Sequence, residues 1–194
     1  MAMTAGTARA AASPVFVVRT TDRAEGIRRG LAALGAPAAK HKRVVIKPNL
    51  NSADPFPAST HLETLRLLVS HLQAAGAREI TVADRSGMGD TRRVMDQKGV
   101  SALAGELGFR TIVLEDTPME GWTEKLRTGS HWSRGVLFAR LFQEADLIVQ
   151  TCCLKTHRYG GHFTLSLKNS VGQEQIARRW NWVSGRRGRS RSIW

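Results

Sequence analysis

The chain has 194 residues, 42% of them hydrophobic, and a formal net charge of +13. That length suits one domain with a sizeable core, and that apolar fraction excludes a chain disordered throughout. Cys152 and Cys153 are its only cysteines, and neighbouring thiols exclude both a disulfide framework and an iron–sulfur cluster carried by this chain alone. A cytoplasmic protein is expected from this cysteine usage. Residues 1–13 are Ala-rich with a lone Arg9, lack the apolar core of a secretory signal, and read as a disordered lead-in. No run approaches membrane-spanning length.

The charge is unevenly distributed. Residues 175–194 hold six arginines and no acid, and without those six charges the rest of the chain carries only +7. Such a tail can touch phosphate backbones nonspecifically, but a solvated, irregular segment is the plainer reading.

In chain order, the β-branched run at residues 14–19 reads as a first strand. Asp22 caps a helix reaching Leu34, with Ile27, Leu31 and Leu34 on one face and Gly35 as its stop. Residues 43–46 form a second strand, closed by Pro48. Thr60-His-Leu-Glu63 has the form of a capping box, in which the Thr60 hydroxyl and the Glu63 carboxylate each satisfy a free amide. An amphipathic helix follows, with Leu62, Leu65, Leu68, Val69 and Leu72 along one stripe, ending at Gly76.

Residues 80–83 are a third strand, residues 91–107 a helix broken at Gly99, and residues 110–114 a fourth strand. Residues 115–132 lack a period and read as an insertion or loop. Residues 133–142 read as a helix and residues 147–151 as a fifth strand. After Gly160-Gly161, Phe163-Thr-Leu-Ser-Leu alternates like a half-buried strand that folds Lys168 back toward Lys155. Strands alternating with helices at this spacing imply an α/β fold. It has a mostly parallel sheet, helices on both faces and Rossmann-like layering.

Polar residues follow the apolar runs in a repeated way: Lys47-Pro-Asn49-Leu-Asn51, Asp84-Arg-Ser-Gly, and Cys153-Leu-Lys155-Thr-His157. Open parallel sheets bind ligands outside the carboxyl ends of their strands, so these residues are expected to share one edge. Lysines there supply point charges for a phosphate or carboxylate, and asparagines supply neutral donors and acceptors. The ligand-binding candidates are Lys47, Asn49, Lys155, Lys168 and Asn169. Asp84 and His157 are the candidate acid or base. An ion pair of Asp84 with Arg85 or a nearby lysine stands as the alternative. Ser86-Gly-Met-Gly-Asp90 offers turn amides but matches neither the Walker nor the dinucleotide pattern. The spacing of His157 and His162 fits no zinc motif, so no metal is expected. Cys152 and Cys153 read as near-core residues, with a reactive thiol as the outside alternative.

Five pieces in this order carry a family resemblance: Val44-Val-Ile-Lys-Pro-Asn49, Gly76-Ala-Arg-Glu-Ile-Thr-Val82, Ala145-Asp-Leu-Ile148, Leu154-Lys-Thr-His157, and Leu167-Lys-Asn169 with Gly172. Over roughly residues 14–172 the chain resembles the domain of unknown function 362 family. The resemblance implies an α/β domain, frequent in prokaryotes and sometimes fused to a ferredoxin-like iron–sulfur module. It also singles out Lys47, Asn49, Lys155, His157, Lys168 and Asn169. A fainter likeness to the N-terminal domain of lactate-racemase-like proteins implies a hydroxy-acid or pincer-cofactor ligand; the residues themselves specify no cofactor.

After Gly172 the sequence departs from the resemblance into a segment with Trp180, Trp182 and Trp194 among Arg, Ser and Gly. Residues 173–194 read as an altered or truncated end, which leaves the sheet incomplete there. The expected organisation is thus a lead-in at 1–13, an α/β domain at 14–172 and a basic tail at 173–194. Three functions stay open. One is a domain that binds a small anionic molecule and acts on it or merely holds it. Another is a nucleic-acid-associated protein using its tail, and the third a redox protein served by a separate iron–sulfur partner.

Overall fold

Two short apolar runs, residues 43–47 and 79–84, build the centre of the fold because each is buried on both faces, the condition that favours a parallel sheet. The computed structural model describes residues 14–34, 39–125, 135–156 and 165–176. It divides into two units, residues 1–37 and 38–194. In the first, α1 (Arg23–Ala33) begins where the Asp22 carboxylate accepts from the Glu25 amide at 3.1 Å. It buries none of its residues. The run at residues 14–19 is not a strand: Val15 and Val17 are 88% and 90% exposed and no ladder partner among the described residues engages them. β-branched composition favours extended backbone, but a strand exists only where a neighbour accepts its hydrogen bonds.

In the second unit, β1 (Arg43–Lys47), β2 (Glu79–Asp84), β3 (Arg110–Val113) and β6 (Leu147–Gln150) form a parallel sheet in the order β3-β2-β1-β6. Val44 pairs with Ile80 on one side and with Leu147 on the other, so β1 is central. The chain goes from β1 to β2 and β3 in one direction, and returns to the opposite side of β1 for β6. The gap between β1 and β6 is therefore the switch point at which open α/β sheets form their crevice.

Helix α2 (Leu62–Ala74) buries Leu65, Leu68, Val69 and Leu72 and packs on β2. The segment after β2 splits into α3 (Thr91–Gln97) and α4 (Val100–Leu107), as expected at Gly99. Gly99 takes φ +74°, and a Cβ there would stand 3.1 Å from Leu62, so only glycine fits the corner. On the other side of the sheet, Val45, Ala83 and Leu114 pack against Trp122, Leu137, Ala139 and Phe142. These come from a second, antiparallel sheet of β4 (Trp122–Lys125), β5 (Val136–Ala139) and β7 (Glu174–Ile176), in the order β4-β5-β7, with the one-turn helix α5 (Arg140–Gln143).

Several expectations change here. Residues 115–132 were expected to be an insertion or loop; up to residue 125 they take part in two short 3-10 turns and hold β4, and residues 126–132 lie outside the described residues. The helix expected at 133–142 is β5 followed by α5, because pairing with β4 and β7 overrides helical spacing. The strand expected at 163–167 gives way to α6 (Ser166–Ser170), residues 163 and 164 lying outside the described residues. Strand β7 takes in the beginning of the segment expected to be tail. The lead-in at 1–13, Gly35, the Gly160-Gly161 turn, His162 and the arginines of the tail lie outside the described residues. No helix among the described residues is long and apolar enough to cross a membrane.

Candidate functional site

Because β1, β2 and β6 run parallel in adjacent positions, the residues that leave their carboxyl ends meet at one edge. Lys47 closes β1, Asp84 closes β2, and Thr151 through Lys155 follow β6. The convergence expected from strand order is present.

Lys47 is 2% exposed and its ammonium donates to three acceptors: the Asp84 carboxylate, the Pro48 carbonyl at 2.8 Å, and the Asn169 side-chain oxygen at 3.2 Å. An ammonium has three protons, so all are occupied within the protein. Asp84, 1% exposed, accepts in addition from the Leu50 and Arg85 amides, each at 2.7 Å. Burial pushes its carboxyl above the ordinary value, against the opposing pull of Lys47 and the two amides. Of the alternatives open for Asp84, the partner is Lys47. Asn169, on α6, donates its amide to the Lys47 carbonyl at 3.1 Å and the Thr151 carbonyl at 3.3 Å. It thereby bridges β1 and β6 across the switch point. Lys47, Asp84 and Asn169 form a clasp that joins three strand ends and α6.

The loop after β1 is pinned on both sides. Thr60 does not cap α2: its hydroxyl accepts from the Asn49 amide at 2.9 Å and lies 3.0 Å from the Thr151 hydroxyl. His61 caps instead, its Nδ1 accepting from the Glu63 amide at 3.1 Å. The capping-box pattern fails because Thr60 is needed as a strut between β1 and β6. Next to it the Cys153 thiol donates to the Ser59 carbonyl at 3.6 Å, and the Lys155 ammonium donates to the Ala58 carbonyl. Cys152 and Cys153 are half-buried, beyond the end of β6.

Lys155 and Lys168 differ from Lys47. Lys155 is half-buried and Lys168 is partly exposed. Burial, and then the nearby charges of Lys155 and Lys47, hold the Lys168 ammonium below its ordinary value. Three cations thus stand close enough to feel one another, and Asp84 pairs with Lys47. Asn49 is half-buried at the exit of β1, its backbone paired with Thr60 in both directions. His157 lies outside the described residues.

The turn amides after β2 are not a vacant cradle. Ser86 donates to the Thr91 hydroxyl at 2.7 Å, Gly87 to the Asn51 side chain at 3.1 Å, and Met88 to the Asn51 carbonyl at 3.1 Å. The same network reaches a residue that the sequence reasoning missed. The Thr91 hydroxyl donates to Glu115 at 2.6 Å, two residues beyond the end of β3. Burial pushes the Glu115 carboxyl up, assisted by Asp84 and opposed by the Thr91 hydroxyl and Arg85. Its signal was available: Leu114-Glu-Asp116 follows β3 as Asp84 follows the core of β2.

Elsewhere, a cleft beside β3 is lined by Arg92, Met95, Asp96, Ser101, Thr111 and Asp116, among others. Its charged groups already pair, Arg92 with Asp116 and Ser101 with Asp96, and it is far less cationic than the strand ends. Among the described residues, no group of three or more His, Cys, Asp or Glu side chains is placed to hold a metal ion.

No curated protein and no solved structure matches the chain. Residues 44–188 do match a family, and that stretch begins in β1, includes every strand end described above and passes beyond Gly172. It covers well over half of the sequence, and the chain belongs to the family described as Domain of unknown function (DUF362).

Proposed function

We propose that this domain binds a small anion, a phosphate or a carboxylate, at the carboxyl edge of its parallel sheet, with Lys155 and Lys168 as the direct contacts. The observation that carries this reading is the grouping of Lys155 and Lys168 beside the buried Lys47 at the β1/β6 switch point, close enough for mutual repulsion. A cationic cluster of that kind is electrostatically frustrated when empty, and an oxyanion relieves it. Lys47 and Asp84 keep the strand ends in register, and Asn169 fixes the helix that carries Lys168. Asn49 adds a neutral amide at the rim.

Each charge-assisted contact contributes about 1.5–3 kcal/mol, so removing one lysine weakens binding tenfold or more. The test is calorimetric titration of the chain with inorganic phosphate and with acetate. Lys155→Ala and Lys168→Ala should each lower affinity by at least about tenfold. Lys42→Ala, at the amino end of β1, should leave it unchanged. If both site variants bind as the parent does, or the parent binds neither anion, the reading is wrong.

A further inference from the structure

The carboxyl edge carries more apolar surface than a site for a bare inorganic ion requires. Of the six large apolar side chains exposed among the described residues from 39 onward, five stand on segments that leave the carboxyl ends of the parallel strands. They are Phe56 after β1, Met88 after β2, Met119 after β3, and Leu154 and Leu165 after β6. The sixth, Ile148, is 38% exposed within β6. Single exposed apolar residues are ordinary on protein surfaces, but a one-sided grouping beside two ammonium groups is not.

The grouping has a core. Leu154, 77% exposed, directly precedes Lys155, and Leu165 leads into the helix that holds Lys168. The Lys155 and Cys153 contacts to the carbonyls of Ala58 and Ser59 draw the Phe56 loop against the Leu154 loop. Phe56 itself stands edge-on to His61, with ring centroids 5.8 Å apart at 79°, and remains 48% exposed. Lys155 is half-buried while its neighbour Leu154 is open, and Lys168 is exposed beside the exposed Leu165. A single head group can reach down to Lys155, whereas a flat bilayer surface meets Leu154 first.

Building on the anion reading, we infer that the ligand is an amphipathic anion. It is a phosphate or carboxylate joined to an aryl or alkyl body, with its oxygens on Lys155 and Lys168 and its body over Leu154, Leu165 and Phe56. Binding sites of this kind combine a few charged groups with a mostly apolar lining.

The test compares inorganic phosphate, phenyl phosphate and hexyl phosphate by calorimetry on the full chain, with Leu154→Ser as the variant. Burial of the apolar body should tighten phenyl or hexyl phosphate by about tenfold or more over inorganic phosphate. Leu154→Ser should remove most of that gain and leave inorganic phosphate binding intact. Equal affinity for all three overturns the amphiphile while the anion site stands. Binding of none overturns both readings. Retention on phosphatidylglycerol vesicles without binding of phenyl or hexyl phosphate overturns it in favour of a membrane surface.

Discussion

At the amino end of the parallel sheet, Arg43 reaches Asp146 at 3.6 Å and Arg110 reaches Glu79 at 2.6 Å, and every partner is at least a third exposed. At the carboxyl end β1 and β2 are joined by Lys47 and Asp84, which are 2% and 1% exposed. The two ends thus use the same chemistry in opposite solvents. Exposed pairs gain little because water already screens them, whereas a buried pair must replace the hydration of both charges by internal partners. Lys47 and Asp84 have those partners in Pro48, Asn169, Leu50 and Arg85. The carboxyl end is therefore rigid beneath the surface, and the rim above it carries Lys155 and Lys168.

The largest effect should come from breaking the buried pair. Asp84→Ala leaves the Lys47 ammonium buried without its counter-charge, and stability should fall by about 3–5 kcal/mol. Lys47→Met should be milder, because the Asp84 carboxyl, already pushed up by burial, can take a proton and become neutral. At the amino end, Arg110→Ala should change stability by only about 0–1 kcal/mol. Urea unfolding of the three variants checks the ranking. An Asp84→Ala loss no larger than that of Arg110→Ala would remove the distinction between the two ends.

Asn169→Ala is the intermediate case. It takes one acceptor from Lys47 and a shared donor from the Lys47 and Thr151 carbonyls, all at the buried switch point. Leaving such groups unsatisfied costs about 1–3 kcal/mol. The same variant should weaken phosphate binding, since α6 also carries Lys168. Lower stability with unchanged phosphate affinity would separate the clasp from the site.

What was legible in the sequence divides along the same line. The parallel strands, the helices that follow them and the polar residues at their ends were readable, because local pattern and tertiary need agree there. The run at 14–19 looked like a strand by composition alone and has no ladder partner among the described residues. Strands β4 and β5 were missed because they exist through antiparallel pairing with each other and with β7, which local composition does not report. Lys47 was read as a ligand-binding lysine at a strand exit, and it is buried. Its burial depends on Asn169, 122 residues away, and no local pattern reports a contact at that range. Thr60 was misassigned for the same reason, its hydroxyl being claimed by Asn49 and Thr151.

Glu115 tests the comparison from between its two extremes, since it belongs to the carboxyl end yet is not sealed like Asp84. Burial raises its carboxyl above the ordinary value of about 4.3, with Asp84 adding to the rise while the Thr91 hydroxyl and Arg85 oppose it. Just above that ordinary value the folded state therefore holds more protons than the unfolded state, so the contribution of Glu115 to stability declines as pH rises through this window. Glu115→Gln keeps an oxygen to accept from Thr91 and cannot ionise. It should come closest to the parent at the acid end of the range, where the carboxyl is most protonated, and become slightly more stable toward pH 7. Because the carboxyl is only partly buried, the gain should stay below about 1 kcal/mol. Urea midpoints measured at intervals between about pH 4 and 7 decide it. A variant that instead falls behind the parent as pH rises would mean that the Thr91 hydroxyl and Arg85 stabilise the carboxylate more than burial penalises it. Glu115 would then belong with the exposed pairs of the amino end rather than with the clasp.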